Sequence, residues 1–479
     1  MPVLKQKTKE MRENETPIFP EAFVREMETD LGEAGAGLLL AALAGPSPVS
    51  IRLNRRKGCA VVEGEPVPWC STGWYLSERP AFTFDPMLHA GAYYVQEASS
   101  MFVEQAFRAL PVVPRRVLDL CAAPGGKSTL WRSLLPDGAL LVANEPLRQR
   151  ASVLVENLSK WGHPDTVVTQ SRPADFAALP GFFDVVAADV PCSGEGMFRK
   201  DAVAVAGWSP EAVALCARRQ REIVEQVWPA LREGGFLVYS TCTFNRAEDE
   251  ENVAYICRTL GARPVEISVD MSWGVAGDAR GEWPVCHFYP HRARGEGFFL
   301  ALLQKTSANA SVRQPQRGRD ERPQGGGLWR MASSWLRQPD GFSPVTLPDG
   351  TLAAVGTELR SDVARLARVT HVLSAGVPLA VERGRKAVPH AALATSLALA
   401  PDAFPRVELD VLSAVAYLRR ETPQLPASTP RGYVVVTYGG LPLGFLNNLG
   451  NRANNLYPAE WRIRSSHMTE TPRVVRAEV

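Results

Sequence analysis

No stretch of the sequence offers a route into or across a membrane. No apolar run approaches the ~20 residues that span a bilayer. The longest, AGAGLLLAALAG at 34–45, reads as a packed helix. The opening MPVLKQKTKEMRENETPIFP is polar and lacks the apolar core and small-residue cleavage site of a signal peptide, so a cytoplasmic protein is expected. Cysteine pairing is also missing. The eight cysteines (59, 70, 121, 192, 216, 242, 257 and 286) contain no CxxC and no Cys/His cluster of zinc spacing, so no metal is expected. Without a secretion signal they should be reduced thiols, and Cys59, Cys70, Cys216, Cys257 and Cys286 read as small buried hydrophobes. There is no internal repeat. Net charge is slight, at +2, but unevenly placed: 306–479 holds 21 Lys and Arg against 14 Asp and Glu, while the preceding residues hold 32 against 37. A basic last third beside an acidic body hints at a polyanionic partner, although a solvated surface explains the count equally well.

What is present is enough for several cores. At 479 residues and 45% hydrophobic content, about two to four soluble domains are expected. Residues 1–110 mix helical and extended signals and read as a small α+β domain. From 111 to 305 strands and helices alternate: RVLDL, ALLVANE, TVVTQ, FDVVAADV, GFLVYST and GFFLALLQK are apolar strands separated by helical stretches. That pattern predicts a parallel, doubly wound sheet covered on both faces. Residues 306–330 lose periodicity and gain Gly, Pro, Gln and Arg, as a linker does. A mixed region over 331–405 and a small β-rich module over 406–479, containing the turn signal of GYVVVTYGGLPLGFLNN, complete the chain.

LDLCAAPGGKST (118–129) joins the first strand of the alternating block to its helix. GKST suggests a phosphate-binding G-x-x-x-x-G-K-[ST] loop, but the required first glycine falls on Cys121. The G-x-G-x-x-G of a dinucleotide loop is absent too. What remains is a tight Pro-Gly-Gly turn at the carboxyl end of a strand, where open α/β sheets bind ligands. Glu145, in VANEP, ends the second strand, from which an acid can hydrogen-bond a ribose diol. An adenosine cofactor across the first two strands fits both features.

Two cysteines close two further strands. AADVPCSGEGMFRKD carries Asp189 and Cys192, and YSTCTFN carries Cys242. Neighbouring strand ends in a parallel sheet bring both thiols and Asp189 to the cofactor rim. A thiolate added to carbon 6 of cytosine makes carbon 5 nucleophilic enough to accept a methyl group. One acid must then stabilise the ring through N3 or the amino group, and a base must remove the carbon 5 proton.

The combination of CAAPGGKS, DVPCSGEG and YSTCTFN resembles the Sun/Nop-type RNA cytosine carbon-5 methyltransferases, and most closely the bacterial RsmF/YebU type. The likeness extends to GAYYVQEASSMF, YPHRARGEGFFLALLQK and YGGLPLGFLNNLGNRANNLYPAEWRIR. It implies an α/β fold: a Rossmann-like S-adenosylmethionine-dependent methyltransferase core, the α+β N-terminal domain, and a C-terminal PUA-like, RNA-binding module. It further implies Cys242 as nucleophile, Cys192 in product release and Asp189 on the base. By the same likeness, S-adenosyl-L-methionine is held by Cys121, Ala122, Ala123, Pro124, Gly125, Gly126, Lys127 and Glu145, with Asp189 beside it. The family often places an acid after the third strand for the adenine amino group. Here TQSRPADF puts Arg172 near that position, leaving Asp175 or backbone groups to serve.

Arg199 and Lys200 could touch phosphate or the base, or be surface charge. His287 and His291 read as structural, and the pair Tyr93–Tyr94 as core rather than an RNA-stacking platform. The RNA implied is small-subunit ribosomal RNA, with transfer RNA open. Two other classes stay on the table: a DNA enzyme attacking through Cys192, and a non-catalytic RNA-binding scaffold. The sequence is silent on oligomeric state.

Overall fold

The computed structural model describes residues 19–308, 326–384, 386–465, 468 and 472–478. The greater part of the expected linker thus lies outside the described residues, and its last residues open the helix Gly326–Ala332.

A nine-stranded sheet organises the centre. In chain order its strands are β1 (Arg116–Asp119), β2 (Leu140–Asn144), β3 (Thr166–Thr169), β4 (Phe183–Asp189), β5 (Leu231–Thr241), β6 (Ala262–Val265), β7 (Cys286–Phe288), β8 (Phe298–Lys305) and β9 (Val372–Ala375). The spatial order is β6-β8-β5-β4-β1-β2-β3-β9, with β7 also on β8. β1 to β5 run parallel, as the alternation predicts. The flanks differ from that expectation: β8 is antiparallel to β5, and β9, from beyond the linker, pairs antiparallel with β3.

Side chains along each strand alternate between two cores, as the two-residue period of a strand requires. Val186 and Ala188 of β4, Leu237 and Tyr239 of β5, and Phe299, Ala301 and Leu303 of β8 enter one core. Val185, Ala187, Val238, Phe298, Leu300 and Leu302 enter the other. On the first face lie the helices Pro210–Val227 and Glu250–Leu260, contributing Val224, Val227, Val253 and Ile256. The former is started by Pro210 in its first turn and by Ser209, whose Oγ accepts from Ala212 N at 3.2 Å. The opposite face receives Leu130 and Trp131 of Gly126–Leu134.

Before the core, the helix Glu21–Leu43 leads into an antiparallel sheet of Glu65–Pro66, Gly73–Leu76, Val49–Leu53 and Tyr93–Val95. After it come a four-stranded antiparallel sheet over 342–389 and a second sheet built on Gly432–Tyr438 and Leu441–Asn448. The strand Val475–Ala477 returns to pair with Cys59–Val61. No described helix is long and apolar enough to cross a membrane.

Candidate active site

Strand order reverses at β1, which has β2 on one side and β4 on the other. Open α/β sheets bind ligands beyond the carboxyl ends of strands at such a switch point. The loop 120–125 leaves β1 there, and Gly125, at φ 117°, turns the chain into the helix beginning at Gly126. An added Cβ at Gly126 would make ordinary contact with the Tyr94 ring at 3.4 Å, so the loop faces the N-terminal sheet across little more than one side-chain contact distance.

Between them lies a cleft of about 190 Å3 lined on one side by Cys121–Pro124, Gly126, Lys127 and Asp189, and on the other by Tyr94–Glu97 and Ser100. Arg52 joins the two walls from beneath. Fully buried, it donates to Gln96 Oε1 (2.8 Å), Gly126 O (3.2 Å) and Thr129 Oγ1. Its guanidinium lies 4.7 Å above the Trp161 ring. Burial lowers the Arg52 pKa to about 10, which leaves it charged.

Glu145 stands outside this lining. Its carboxylate is buried, accepts from Leu147 N at 3.0 Å and pairs with Arg150 at 3.2 Å. Arg150 in turn donates to Ala123 O at 2.8 Å, tying Glu145 to the loop. Asp175 is committed elsewhere: it accepts from Arg172 N (2.9 Å) and from the Arg172 side chain (3.3 Å), capping the turn Pro173–Ala178. Asn144 braces the rim, donating to Leu120 O and Ser171 O and accepting from Thr169 and Ser171.

Asp189 closes β4 opposite Ser240 of β5. Its carboxylate meets Lys127 Nζ at 2.9 Å and Ser240 Oγ at 2.8 Å. Burial opposes the Lys127 charge, but Asp189 outweighs it, and the Lys127 pKa is raised. Just beyond the two strand ends, Cys192 Sγ and Cys242 Sγ stand 3.2 Å apart, and Cys242 N points at Cys192 Sγ from 3.4 Å. The hydrogen bond to Cys242, with burial, pushes the Cys192 thiol well up, so it keeps its proton. Asp189, Lys127, Cys192 and Cys242 therefore form one constellation at the rim of the cleft.

A family model described as 16S rRNA methyltransferase RsmB/F matches residues 110–304. The N-terminal domain of 16S rRNA methyltransferase RsmF matches 19–98, and the methyltransferase RsmF PUA domain matches 404–463. Ribosomal RNA small subunit methyltransferase F of Escherichia coli O157:H7 is 31% identical over 473 residues, spanning 93% of this chain and 97% of its own. The chain belongs to the RsmF family of 16S rRNA methyltransferases. The corresponding protein of Serratia proteamaculans is 32% identical over 416 residues, covering 83% of this chain and 84% of that one. Two solved structures share the fold. NSun6 from Pyrococcus horikoshii with SFG (TM-score 0.51, 20% identity) covers 61% of this chain and all of its own. A methyltransferase homolog from the same organism (TM-score 0.51, 23% identity) covers 62% and 97%.

Within this RsmF-family enzyme other flagged residues have local work. Lys200 and Arg199 both pair with buried Glu296, at 3.0 and 3.5 Å, and Arg199 donates to Ala42 O, which anchors the loop after Cys192 to the N-terminal helix. His287 is buried against Glu250 (2.8 Å) and stacks on Tyr289, beside which His291 also lies. Tyr93 is buried with its hydroxyl on Asp85 (2.8 Å), whereas Tyr94 lines the cleft. Cys59, Cys70 and Cys286 are buried; Cys216 and Cys257 are half-buried. Among the described residues, one group has metal-ligand spacing: Asp137, His163 and Asp165. Its donors are spent, since Arg56 pairs with Asp137 at 2.8 Å and His163 bonds Asp137 and Asp165 N. Burial, with Arg132 and Arg56 nearby, lowers the His163 pKa to about 3.

Arg52, Gln96, Glu97, Ser100 and Asn144 carry no pattern in the sequence that marks them for the site. GAYYVQEASS stands out only through the resemblance; nothing in its spacing shows that it forms a wall of the cleft.

Proposed function

We propose that the enzyme methylates carbon 5 of a cytosine in 16S rRNA, using S-adenosyl-L-methionine and a covalent bond from Cys242. The observation that carries this reading is the pair of thiols 3.2 Å apart beside Asp189 and Lys127, at the rim of the glycine-loop cleft. The chemistry of that cleft suits the cofactor. Cys121, Ala122, Ala123, Pro124, Gly126 and Lys127 of its loop line it, Gly125 makes the turn between them, Asp189 offers a carboxylate, and Glu145 is linked to the loop through Arg150. Asp175, held by Arg172, is left out of this assignment. When bound, S-adenosylmethionine supplies the methyl group and its sulfur leaves as the neutral thioether.

A base stacked in a helix hides carbon 6, so the target enters unpaired or flipped. Cys242 Sγ, as thiolate, forms a bond to carbon 6, and the displaced electron pair reaches carbon 5 and the N3 edge. Asp189 engages that edge through N3 or the amino group. After carbon 5 is methylated, its proton passes to a water molecule acting as base, the carbon 5–hydrogen electrons restore the 5,6 double bond, the carbon 6–sulfur bond breaks, and its electrons return to Cys242. Cys192 retains its proton and stands in hydrogen-bonding reach, so it stabilises the departing sulfur. The N-terminal and PUA modules dock the RNA, and the enzyme works in the cytoplasm.

Denaturing gels of enzyme with substrate RNA and S-adenosylmethionine test the assignment. Cys242→Ala should abolish methyl transfer and leave no adduct, while Cys192→Ala should accumulate one. A trapped complex from Cys242→Ala and none from Cys192→Ala would overturn it and point to attack by Cys192.

A further inference from the structure

Behind the two thiols lie two carboxylates that the reaction as described does not use. Glu195 and Glu248 are both fully buried, and among the described residues no Lys, Arg or His is one of their hydrogen-bond partners. Glu248 receives Ser193 N (3.0 Å), the amide next to Cys192, together with Gln220 Nε2 (2.6 Å) and Asn245 Nδ2 (2.8 Å). Glu195, on the Cys192 loop, crosses to receive Phe244 N (2.7 Å), two residues after Cys242, and also Trp208 Nε1 (2.8 Å). Asn245 Nδ2 lies between the carboxylates, 2.9 Å from Glu195 and 2.8 Å from Glu248. A backbone bond from Gly196 N to Cys242 O (2.9 Å) completes the cross-tie.

Burying two carboxylates on neutral donors is costly, and it is tolerated only where every lone pair is met. Here the cost falls on the two loops that carry the thiols, and each carboxylate grips a loop amide within two residues of a cysteine. We propose that Glu195 and Glu248 are positioning residues, a buried clamp that fixes the Cys192 loop against the Cys242 loop so that Cys192 reaches the Cys242 sulfur during release. The release role rests on the function proposed above; the clamp itself does not.

Two readouts separate them. Glu248→Gln places an amide NH2 against Gln220 or Asn245, donor facing donor, and loosens the Cys192 side; Glu195→Gln does the same on the Cys242 side. Diamide oxidation of the thiols, two electrons and two protons passing to the diamide to give its hydrazine, reads thiol spacing without any RNA. Peptide mapping should find the Cys192–Cys242 disulfide forming on the order of tenfold more slowly in each variant that folds. With RNA and S-adenosylmethionine, each should also accumulate covalent adduct, and Cys192→Ala/Glu248→Gln should hold it no longer than Cys192→Ala alone. Wild-type disulfide rates in both variants overturn the clamp, as does lost turnover without adduct while Cys192→Ala still traps one. If Cys192→Ala traps none, the release mechanism fails while the disulfide rates still judge the clamp. Should one variant fail to fold, the other decides.

Discussion

Asp119 ends β1 directly beneath the glycine loop, only 1% exposed, and accepts Ser128 Oγ at 2.6 Å. Burial raises its pKa from 3.8 to about 7. Asp189 and Glu145 push the same way, and Ser128 and Lys127 push back. The sign of the linkage follows. Between the unfolded and folded values the native state holds a proton that the unfolded chain has released, so this group lowers stability as pH rises through that window. A separation of about 3 pH units at about 1.36 kcal/mol each gives a cost of about 4 kcal/mol, complete above neutrality. Asp119→Asn has the shape of the protonated acid and keeps an oxygen for Ser128, but it does not titrate. The variant should match wild type near ~pH 4 and become progressively more stable than it towards ~pH 8, by a few degrees of melting temperature. Thermal unfolding of both proteins across that range measures the difference, in which the titrations of groups that do not interact with Asp119 cancel. A flat difference curve, or one that falls with pH, refutes the argument that burial holds this carboxyl neutral.

The joints between modules and the basic charge of the C-terminal module give two further tests. Gly91, at φ 74°, would put a Cβ 1.9 Å from Lys160 O, whereas Gly58, at φ 61°, meets nothing within 4 Å. Gly91→Ala should therefore cost about 3 kcal/mol or more and Gly58→Ala about 1 kcal/mol, and equal shifts in denaturation midpoint would show that the close approach is not felt. Arg452, Arg462 and Arg464 are exposed in the C-terminal module. Replacing all three with Gln should weaken RNA binding, flatten its log-log salt dependence by about two to three, and leave S-adenosylmethionine titrations unchanged; an unaltered slope would remove these arginines from the RNA path.

The parallel half of the sheet was legible because β1 to β5 are apolar runs set between helices, a pattern with local causes. The thiol constellation was legible for a related reason: Cys192 and Cys242 follow strands, and adjacent parallel strands deliver whatever follows them to one rim. The flanks were not. β9 belongs to the 331–405 region by sequence, yet its partner is β3, about 200 residues earlier, and nothing in the residues Val372–Ala375 names that partner. Deleting 306–479 to remove its basic charge would therefore strip an edge strand from the catalytic sheet, so substitution of surface arginines is the cleaner test.

The same physics explains why half of the cleft stayed hidden. Arg52 looks like a surface residue on an extended strand, and charged side chains are seldom fully buried unless paired. It is buried because Gln96, Gly126 and Thr129 receive its guanidinium, a set assembled only once the N-terminal sheet has docked. Asn54 donates to both Gly91 O and Trp161 O, and Lys57 donates to Thr395 O, so the N-terminal segment is fastened to the core and to the region beyond the linker. Glu195 and Glu248 follow this logic at the thiols: each is an ordinary acid in sequence, made significant by a backbone amide some 50 residues away. Residues at the ends of strands can thus be assigned from the pattern that makes the strand. Residues that hold two distant segments together carry no such pattern, and here they form one wall of the cleft and the tie behind the thiols.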